Sequence, residues 1–534
     1  MGHQFPLRSA RGLGPQLTIV KHSRQAALRF DLTFGARLRI NREQQLSIEA
    51  IVNSRLRAVA TVVLVWAVVY LPALGSIAIK GEEGRRILPA VRMLETGNYT
   101  VPQVGSNPYY RKPPLVNWLV AASFKFLGVR NEWTARLPSA LSVLAVAIAF
   151  ITVARASLGA RESLIAAMIW LTNIGIIEKG RLIEIEALYV SLCGLAIIFW
   201  LSFFLQKQSP WLTWIPAFVF LGLGLLAKGP THLFFFYGVV LAVLAYWKDW
   251  RFLVHPAHFV GLAVMIGIAA AWAIPFVHST TSQVVIDKWS GQYTGRLKGV
   301  DFKFFDWIQN VPRGLIYFLP WLLLFPFARF AKLQQQSEQR LARALSWGSA
   351  VPFLTINLVP GALPRYSMPA IVPASWLLGM ICAGNALQCP TRWMKNERVW
   401  AKIVAGFVGL GLVIGAIGYP VTAIVLRNRQ QVKSAAAEIN ALVSPNETLY
   451  AVNPDYQPVF FYVKAPVQYV SDVENLPGSV RYFLVRHNNE AKALAAQKWA
   501  PLRPRPIARV RDYSKREMIL FEVAPANEID RLPD

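Results

Sequence analysis

Charged residues are scarce in this sequence of 534 residues, and acidic ones are the scarcest. Asp, Glu, Lys and Arg make up 16% of the chain, whereas soluble domains carry about 25%. The composition therefore excludes an ordinary soluble enzyme. The 29 acidic residues face 56 basic ones, which gives a net charge of +27. A basic excess often indicates a nucleic-acid partner. Here long apolar runs dilute it, so we expect membrane lipids as partners and no nucleic acid.

Cysteine and histidine are also rare, and neither forms a recognisable motif. The three cysteines, Cys193, Cys382 and Cys389, lie in or beside apolar stretches. This pattern indicates neither a disulfide framework nor a cysteine zinc site. The seven histidines form no HExxH or clustered motif. We therefore expect no metal site and no required cofactor, while a divalent metal ion held by carboxylates stays open.

Long hydrophobic runs are abundant, since 54% of the residues are hydrophobic. A membrane-spanning helix needs about 17–25 apolar residues, and eleven runs approach or reach this length: 58–79, 137–154, 163–177, 187–206, 208–227, 229–247, 256–278, 314–328, 344–364, 366–391 and 403–426. The sequence therefore predicts an all-α polytopic membrane protein with about 11–13 transmembrane helices. It divides into a basic tail (1–57), a transmembrane domain (58–426) and a soluble region (427–534).

The basic tail predicts the orientation of all the spans. Residues 1–57 hold ten Lys or Arg and three Asp or Glu, and such segments stay in the cytoplasm. Because spans alternate in direction, segment 80–136 and the region from 427 onward then lie on the outer side of the inner membrane. The first run follows a long tail, so it is not a cleavable signal peptide.

The predicted outer segments carry charges of both signs, which the positive-inside rule alone does not explain. The acids are Glu82, Glu83, Glu95, Glu178, Glu184 and Glu186, and the bases are Lys112, Arg136, Lys179, Arg181, Lys228, Arg296, Lys298 and Arg365. For any single residue, a solvated charge at a helix end explains it equally well. For the whole set, we favour a shared anionic ligand at the outer face.

Segment 80–136 is too long for a simple connection. Residues 84–95 have helical spacing, and residues 114–128 are typical of an amphipathic helix that lies in the membrane interface. Between these helices lies the element YYRKPP, residues 109–114. Its two prolines fix the backbone, so Lys112 is presented rigidly.

Several short motifs follow one another along the chain. The first loop contains an acidic pair, an Arg, MLETGNY, a KPP element and AR-x-PSALS, and later come GRLIEIEALY (180–189), LLAKGP (225–230), LPW (319–321) and PRYSMPAIVP (364–373). This order resembles the membrane glycosyltransferases of the protein O-mannosyltransferase and aminoarabinose transferase superfamily, which have the GT-C fold. The resemblance covers roughly residues 58–390. Members usually have Asp where this chain has Glu82, and tend to have it at Glu186, so each carboxylate reaches one methylene further.

The resemblance implies transfer of a sugar from a polyprenyl-phosphate donor. The acceptor would be a hydroxyl or phosphate of an envelope glycolipid like lipid A, of a protein or of a glycan. In such a transfer a carboxylate takes the proton of the acceptor, and cations stabilise the charge on the leaving phosphate. We therefore expect an essential carboxylate that faces Lys and Arg residues at the outer membrane face. The identity of the sugar and of the acceptor does not follow from the sequence.

The resemblance also implies roles for individual residues. Glu82 resembles the catalytic base, and Glu83 and Glu186 are further candidate catalytic carboxylates. Candidates for binding the lipid phosphate or the sugar are Arg85, Tyr109, Tyr110, Lys112, Arg136, Lys228, Arg365 and Tyr366. For Glu83, Glu186 and Lys228, an ordinary charge at a helix end explains the residue equally well.

Beyond Leu426 the composition turns soluble and predicts a small α/β domain. Helices are expected at 430–443 and 488–498, and strands at 448–452, 458–463, 466–470, 480–485 and 517–523. Nothing in this region indicates a reaction, so acceptor binding and structural support both stay open.

Two other functions fit the same features. A transporter or lipid flippase places ionisable residues near the bilayer midplane, often with internal repeats. This chain shows no repeat and carries its charges at span ends, which favours an enzyme. A silent binder of lipid-linked sugars is the second alternative, because the two Asp-to-Glu differences alter candidate carboxylates.

Overall fold

The structure, a computed structural model, describes most of the chain from residue 52 onward. The described residues are 52, 54–104, 107–280, 283, 285, 287, 289–291, 294–295, 302–389, 397–427, 431–454, 457–496, 499, 502–511 and 517–525. Nearly all of the predicted tail 1–57 lies outside them, and so do Arg296 and Lys298. The predictions for these residues stay predictions.

Apolar helices make up the larger part of the fold. In chain order the helices are α1 Arg55–Tyr70, α2 Gly84–Thr96, α3 Leu115–Leu127, α4 Glu132–Leu158, α5 Ala160–Leu171, α6 Ile174–Gly180, α7 Ile185–Leu205, α8 Pro210–Ala227, α9 Thr231–Trp247, α10 Pro256–His278, α11 Phe304–Ile308, α12 Asn310–Ile316, α13 Gln336–Leu358, α14 Pro364–Ala383, α15 Glu397–Arg427, α16 Val432–Leu442 and α17 Glu490–Ala495. Among the described residues, six helices are long and apolar enough to cross a membrane: α4, α7, α8, α10, α14 and α15. Helices α5 and α6 add a seventh span if this pair, bent by 60°, counts as one. The chain is a multi-pass membrane protein of the predicted helical class.

Ten of the eleven predicted runs overlap these helices well, but run 314–328 does not form a continuous one. Helix α12 ends at Ile316, and a 3-10 helix follows over Trp321–Phe327. Pro320 and Pro326 lie in this run, and each lacks the N–H that an α-helix needs. The hydrophobicity of run 314–328 therefore does not predict its backbone conformation.

Both helices predicted within segment 80–136 are present. Helix α2 ends at Thr96 and helix α3 ends at Leu127. The residues that follow, Gly97 and Gly128, have the positive φ that favours glycine at this position. Between them lies a two-stranded hairpin of β1 Gln103–Val104 and β2 Asn107–Pro108. Segment 80–136 is therefore a folded unit, while the placement of α3 in the membrane interface stays a prediction.

A five-stranded sheet occupies the region from 427 onward. Its strands are β3 Leu449–Val452, β4 Val467–Val470, β5 Tyr482–Arg486, β6 Leu502–Arg511 and β7 Glu517–Pro525, in the order β4-β3-β5-β7-β6. Strand β3 is parallel to β4 and β5, whereas β7 is antiparallel to β5 and β6. The predicted strand 458–463 is wrong, because Pro458–Phe461 form a 3-10 helix. Strand β6 was not predicted.

One face of this sheet shares a hydrophobic core with segment 80–136. Leu449 and Leu484 of the sheet belong to the same buried cluster as Ile439 of α16. Ile87 of α2 and Val120 of α3 are members of that cluster too. The C-terminal sheet region therefore packs directly against the long loop, while the predicted domain division at 426/427 stays a prediction.

Candidate active site

A polar cavity of about 490 Å³ opens between segment 80–136, the beginnings of α7 and α14, and the end of α8. Its described lining consists of Glu82, Arg85, Arg86, Tyr109, Arg111, Lys112, Glu184, Ile185, Glu186, Lys228, Asp287, Gly291, Arg365 and Tyr366. Six of these side chains are basic and four are acidic. Segments far apart in the sequence thus contribute charged groups to one place.

Most residues that the sequence predicted for the site line this cavity. Eight of the eleven do so: Glu82, Arg85, Tyr109, Lys112, Glu186, Lys228, Arg365 and Tyr366. The remaining three, Glu83, Tyr110 and Arg136, lie outside its lining. The structure therefore brings eight predicted residues together at the cavity and pairs Glu83 with Arg136 behind it, while Tyr110 belongs to neither group.

Glu82 presents its carboxylate at the cavity just before α2 begins. It forms an ion pair with Arg85, with 2.8 Å between Oε1 and Nη1. The side chain is 45% exposed, more than twice the exposed fraction of Arg85. The preceding Gly81 has φ 47°, a conformation that glycine adopts without strain. The backbone turn at Gly81 thus places an accessible carboxylate at the cavity.

Glu186 is buried at the beginning of α7 and lies between two cations. Its Oε1 is 2.9 Å from Nε of Arg365 and 3.4 Å from Nζ of Lys228. The Lys228 ammonium also lies 4.4 Å from the ring centroid of Tyr366 and 5.0 Å from that of Tyr189. These contacts join α7, the end of α8 and the beginning of α14 at the floor of the cavity.

Arg86 and Tyr109 form a second contact at the cavity wall. Nη1 of Arg86 donates a hydrogen bond of 3.2 Å to the hydroxyl of Tyr109. Nδ2 of Asn117 on α3 donates to the backbone oxygen of Arg86 at 2.7 Å, which fixes α2 against α3. Tyr110 turns away from the cavity, and its ring lies 5.9 Å from that of Phe276 on α10.

Glu83 and Arg136 form a buried ion pair behind the cavity, with side-chain exposures of 1% and 0%. Nε and Nη2 of Arg136 donate to the two carboxylate oxygens of Glu83 at 2.9 and 2.8 Å. The backbone N–H groups of Lys80 and Ile183 donate to the same carboxylate at 3.1 and 3.0 Å. Burial alone raises the pKa of Glu83, but the charge of Arg136 and these hydrogen bonds hold the net pKa below its usual value. The pair therefore holds Lys80 and Ile183 close together.

Glu184 is an acid at the cavity whose pKa is shifted in the opposite direction to that of Glu83. Burial raises the pKa of the Glu184 carboxyl. The charge of the neighbouring Lys179 offsets only part of this effect, so the net pKa lies above its ordinary value. Nζ of Lys179 lies 3.0 Å from Glu184 Oε2 and 2.8 Å from Glu178 Oε1. Glu184 thus belongs to a chain of acidic and basic groups that leads away from the cavity.

Sequence reasoning missed four charged residues of the cavity as site residues: Arg86, Arg111, Glu184 and Asp287. A signal existed for Arg86, because residues 82, 85 and 86 have the i, i+3, i+4 spacing that brings side chains to one face of a helix. Arg111 is adjacent to Lys112, and Glu184 precedes Glu186 by two residues. Asp287 lies in no motif that would have indicated it.

The arrangement of these groups defines what the cavity can do chemically. The accessible Glu82 carboxylate can accept a proton, and the surrounding Lys and Arg side chains can bind an anion. In the part of the chain that the structure describes, no three His, Cys, Asp or Glu side chains are placed to hold a metal ion. The site thus combines the accessible carboxylate of Glu82 with a surface rich in Lys and Arg.

Several proteins similar to this chain in sequence are named as sugar transferases. The model of the dolichyl-phosphate-mannose-protein mannosyltransferase family matches residues 111–274. An undecaprenyl phosphate-alpha-4-amino-4-deoxy-L-arabinose arabinosyl transferase of Pseudomonas fluorescens is 25% identical over 335 residues, which cover 62% of this chain and 60% of the relative. A transferase of the same name from Proteus mirabilis is 26% identical over 340 residues, covering 61% and 58%. The chain spans about three fifths of the length of these relatives.

Two solved structures share the fold. ArnT from Cupriavidus metallidurans bound to undecaprenyl phosphate matches with a TM-score of 0.67 and 17% identity, over 87% of this chain and 97% of that chain. The apo state of the same protein matches with a TM-score of 0.63 and 16% identity. At such low identity the likeness establishes the fold.

Proposed function

We propose that this chain, which has the GT-C fold of the aminoarabinose transferase and protein O-mannosyltransferase superfamily, is an integral-membrane glycosyltransferase. It moves a sugar from a polyprenyl-phosphate donor to a hydroxyl or phosphate of an envelope glycolipid like lipid A, of a protein or of a glycan. The observation that carries this proposal is the cavity, in which the accessible Glu82 lies among six basic side chains. This composition matches a reaction that needs one base and stabilises a leaving phosphate.

Glu82 is the proposed general base. Its carboxylate takes the proton from the acceptor hydroxyl while the acceptor oxygen attacks the anomeric carbon of the sugar. The bond between that carbon and the phosphate oxygen breaks, and its electron pair leaves with the polyprenyl phosphate. A single displacement of this kind inverts the anomeric centre. Among the three glutamates of the cavity, Glu82 suits this role because its side chain is 45% exposed, whereas those of Glu186 and Glu184 are 9% and 18% exposed.

Lys112, Lys228 and Arg365 are the proposed ligands of the phosphate. They reach the cavity from three separate parts of the chain, so they can contact a phosphate from several sides. The charge on this phosphate grows as the sugar leaves, and cations that are already in place stabilise that charge without reorganisation. No metal ion is required in this scheme.

The relatives support a lipid phosphate as the ligand. The names of the similar transferases specify undecaprenyl phosphate as the carrier of the aminoarabinose that they transfer. The ArnT structure contains undecaprenyl phosphate. The region that matches the family model, 111–274, includes Lys112, Glu186 and Lys228 of the cavity.

We place the protein in the inner membrane with its N-terminus in the cytoplasm, so the cavity and the C-terminal sheet region lie on the outer side. The basic tail supports this orientation. An exposed Ser444→Cys label site tests it, with Cys382 changed to Ser because Cys382 is the least buried native cysteine. A membrane-impermeant maleimide should label this variant in cells whose outer membrane is permeabilised. Labelling that requires cell lysis would contradict the orientation.

The catalytic proposal is tested with purified protein in lipid nanodiscs. Polyprenyl phosphates carrying radiolabelled hexoses, pentoses or aminopentoses are incubated with an envelope extract, and label transfer is followed. Glu82→Gln should lower kcat by roughly 100-fold or more, as expected for a general base. Glu95→Gln is the matched control, because Glu95 also forms an i,i+3 ion pair with an arginine on α2 and is likewise 45% exposed.

The same assay separates the alternatives. Undiminished transfer by Glu82→Gln would remove this residue as the base. Uptake of a solute into proteoliposomes without label transfer would favour a transporter. Binding of polyprenyl phosphate without any transfer would indicate a silent binder.

A further inference from the structure

Tyr462 connects the C-terminal sheet region with the segment that leads to Glu82. Its hydroxyl accepts a hydrogen bond of 2.7 Å from the backbone N–H of Ile79. The same hydroxyl donates to Oε1 of Glu132, the first residue of α4, at 3.0 Å. One side chain thus contacts both the loop that precedes Glu82 and the helix that carries Arg136.

The segment between α1 and Gly81 forms turn hydrogen bonds of its own, from Leu74 N–H to Leu71 and from Ser76 N–H to Ala73, and side chains supply further ones. Residues 71–80 contain no helix or strand, so their backbone groups cannot bond to each other in a regular pattern. Nη1 of Arg136 donates to the carbonyl oxygens of Leu74 and Ile77 at 2.9 and 2.8 Å. Tyr462 accepts the N–H of Ile79. Arg136 therefore binds carbonyl groups of this segment, and Tyr462 binds one of its N–H groups. Glu82 follows Ile79 by three residues.

Tyr462 is itself held in place. Asn440 of α16 donates to the backbone oxygen of Tyr462 at 3.1 Å and accepts the N–H of Lys464 at 2.8 Å. Nζ of Lys433 lies 5.3 Å from the Tyr462 ring centroid and 2.5 Å from Oε1 of Glu132. The hydroxyl therefore acts from a rigid support.

We propose that Tyr462 is a positioning residue, through which the C-terminal sheet region fixes the carboxylate of Glu82 for catalysis. This inference rests on the proposed transferase function. The sequence left open whether the C-terminal region binds the acceptor or gives structural support. Under this proposal the region contributes to the reaction rate without contacting a substrate. A carboxylate that moves by about 1 Å loses on the order of 100-fold in rate, so a fixed loop has a measurable effect.

Tyr462→Phe tests the proposal, because it removes only the hydroxyl. The N–H of Ile79 then loses its acceptor, and Glu132 loses one donor but keeps its ion pair with Lys433. Tyr450→Phe is the matched control, since Tyr450 lies on β3 of the same sheet and makes no described contact with residues 71–86. Two readouts are taken: kcat and KM for transfer, and hydrogen exchange of peptides that cover residues 74–84.

We expect Tyr462→Phe to lower kcat roughly 10- to 100-fold with little change in KM for the donor, and to speed exchange at Ile79. Tyr450→Phe should change neither quantity. The melting temperature of each variant separates this effect from unfolding: a fall in activity that only follows the folded fraction would overturn the proposal. Glu132→Gln keeps an acceptor for Tyr462 and should retain more of kcat than Tyr462→Phe.

The outcomes also distinguish the two proposals. If the wild-type protein transfers sugar and Tyr462→Phe has the same kcat, the positioning role is wrong and the transferase function stands. Unchanged exchange at Ile79 would equally overturn the positioning role. If the wild-type protein transfers no sugar with any donor, the transferase function falls, and the positioning role falls with it.

Discussion

Removing one partner of the buried Glu83–Arg136 pair should destabilise the protein severely. In Arg136→Met the carboxylate of Glu83, 1% exposed, stays in the interior without its cation. Breaking a buried pair in this way costs about 3–5 kcal/mol. The substitution also removes the donors to the carbonyl oxygens of Leu74 and Ile77. We therefore expect the free energy of unfolding to fall by at least about 3 kcal/mol at neutral pH.

The pH dependence follows from the pKa of Glu83, which the native state holds below its usual value. A carboxyl with a lowered native pKa stabilises the fold above its unfolded pKa, about 4.3. That stabilisation is lost as pH falls through the native pKa. In Arg136→Met the unpaired, buried Glu83 instead takes up a proton more readily. The difference in stability between wild type and variant should therefore shrink as pH falls from 7 toward 4.

Titration with SDS in mixed micelles, followed by tryptophan fluorescence, measures these free energies. Arg92→Met is the control, because the Arg92–Glu95 pair is 35% and 45% exposed and such pairs contribute about 0–1 kcal/mol. The double variant Glu83→Leu, Arg136→Met removes both charges and should recover part of the loss. A loss below about 1 kcal/mol in Arg136→Met, or a difference that widens on acidification, would refute the reasoning.

Three further predictions concern the cavity. Lys112→Gln should weaken binding of polyprenyl phosphate roughly 10- to 100-fold, because a hydrogen bond to a charged group contributes about 1.5–3 kcal/mol. Isothermal titration in nanodiscs measures the binding. Lys125 is an exposed lysine on α3, so the control variant Lys125→Gln should bind normally. Gly81→Ala places a residue with a side chain at a backbone φ of 47°, so it should cost about 1–2 kcal/mol of stability and lower kcat. Gly97 has φ 70° and follows the other end of α2. The control variant Gly97→Ala should cost as much stability but leave kcat unchanged. Dialysis against EDTA should leave the transfer rate unchanged, and loss of activity that added Mg²⁺ or Zn²⁺ restores would show that a metal is required.

Charged residues from distant parts of the sequence could be predicted to lie in one cavity, because the direction of the membrane spans and the order of the motifs both depend on local sequence. Alternating spans place Lys112, Glu186, Lys228 and Arg365 at one end of the bundle, and the structure brings them to one cavity. The burial of each charged side chain could not be predicted in the same way. Glu82 and Glu83 are neighbours of the same type, yet one is accessible and the other is buried. The difference comes from the tertiary contacts of Glu83 with Arg136 and with the backbone of Ile183.

Two errors in the secondary structure have a common cause in proline. Strand β6, which was not predicted, contains Pro504 and Pro506, residues that are rare in strands; β6 is an edge strand, where a missing N–H is tolerated. The predicted strand 458–463 begins with Pro458, which suits the first position of a helical turn. Local patterns alone do not reveal which strand of a sheet will lie at its edge.

Glu186 gives the cavity a resident counter-ion. Lys228 and Arg365 are partly neutralised by this carboxylate, so the proposed phosphate ligand would share these two cations with Glu186 rather than face their full charge. This sharing makes the net gain in electrostatic energy smaller than the number of cations suggests. For a transferase this moderation is useful, since the spent lipid phosphate has to leave after each turnover, and a site that held it too tightly would be inhibited by its own product.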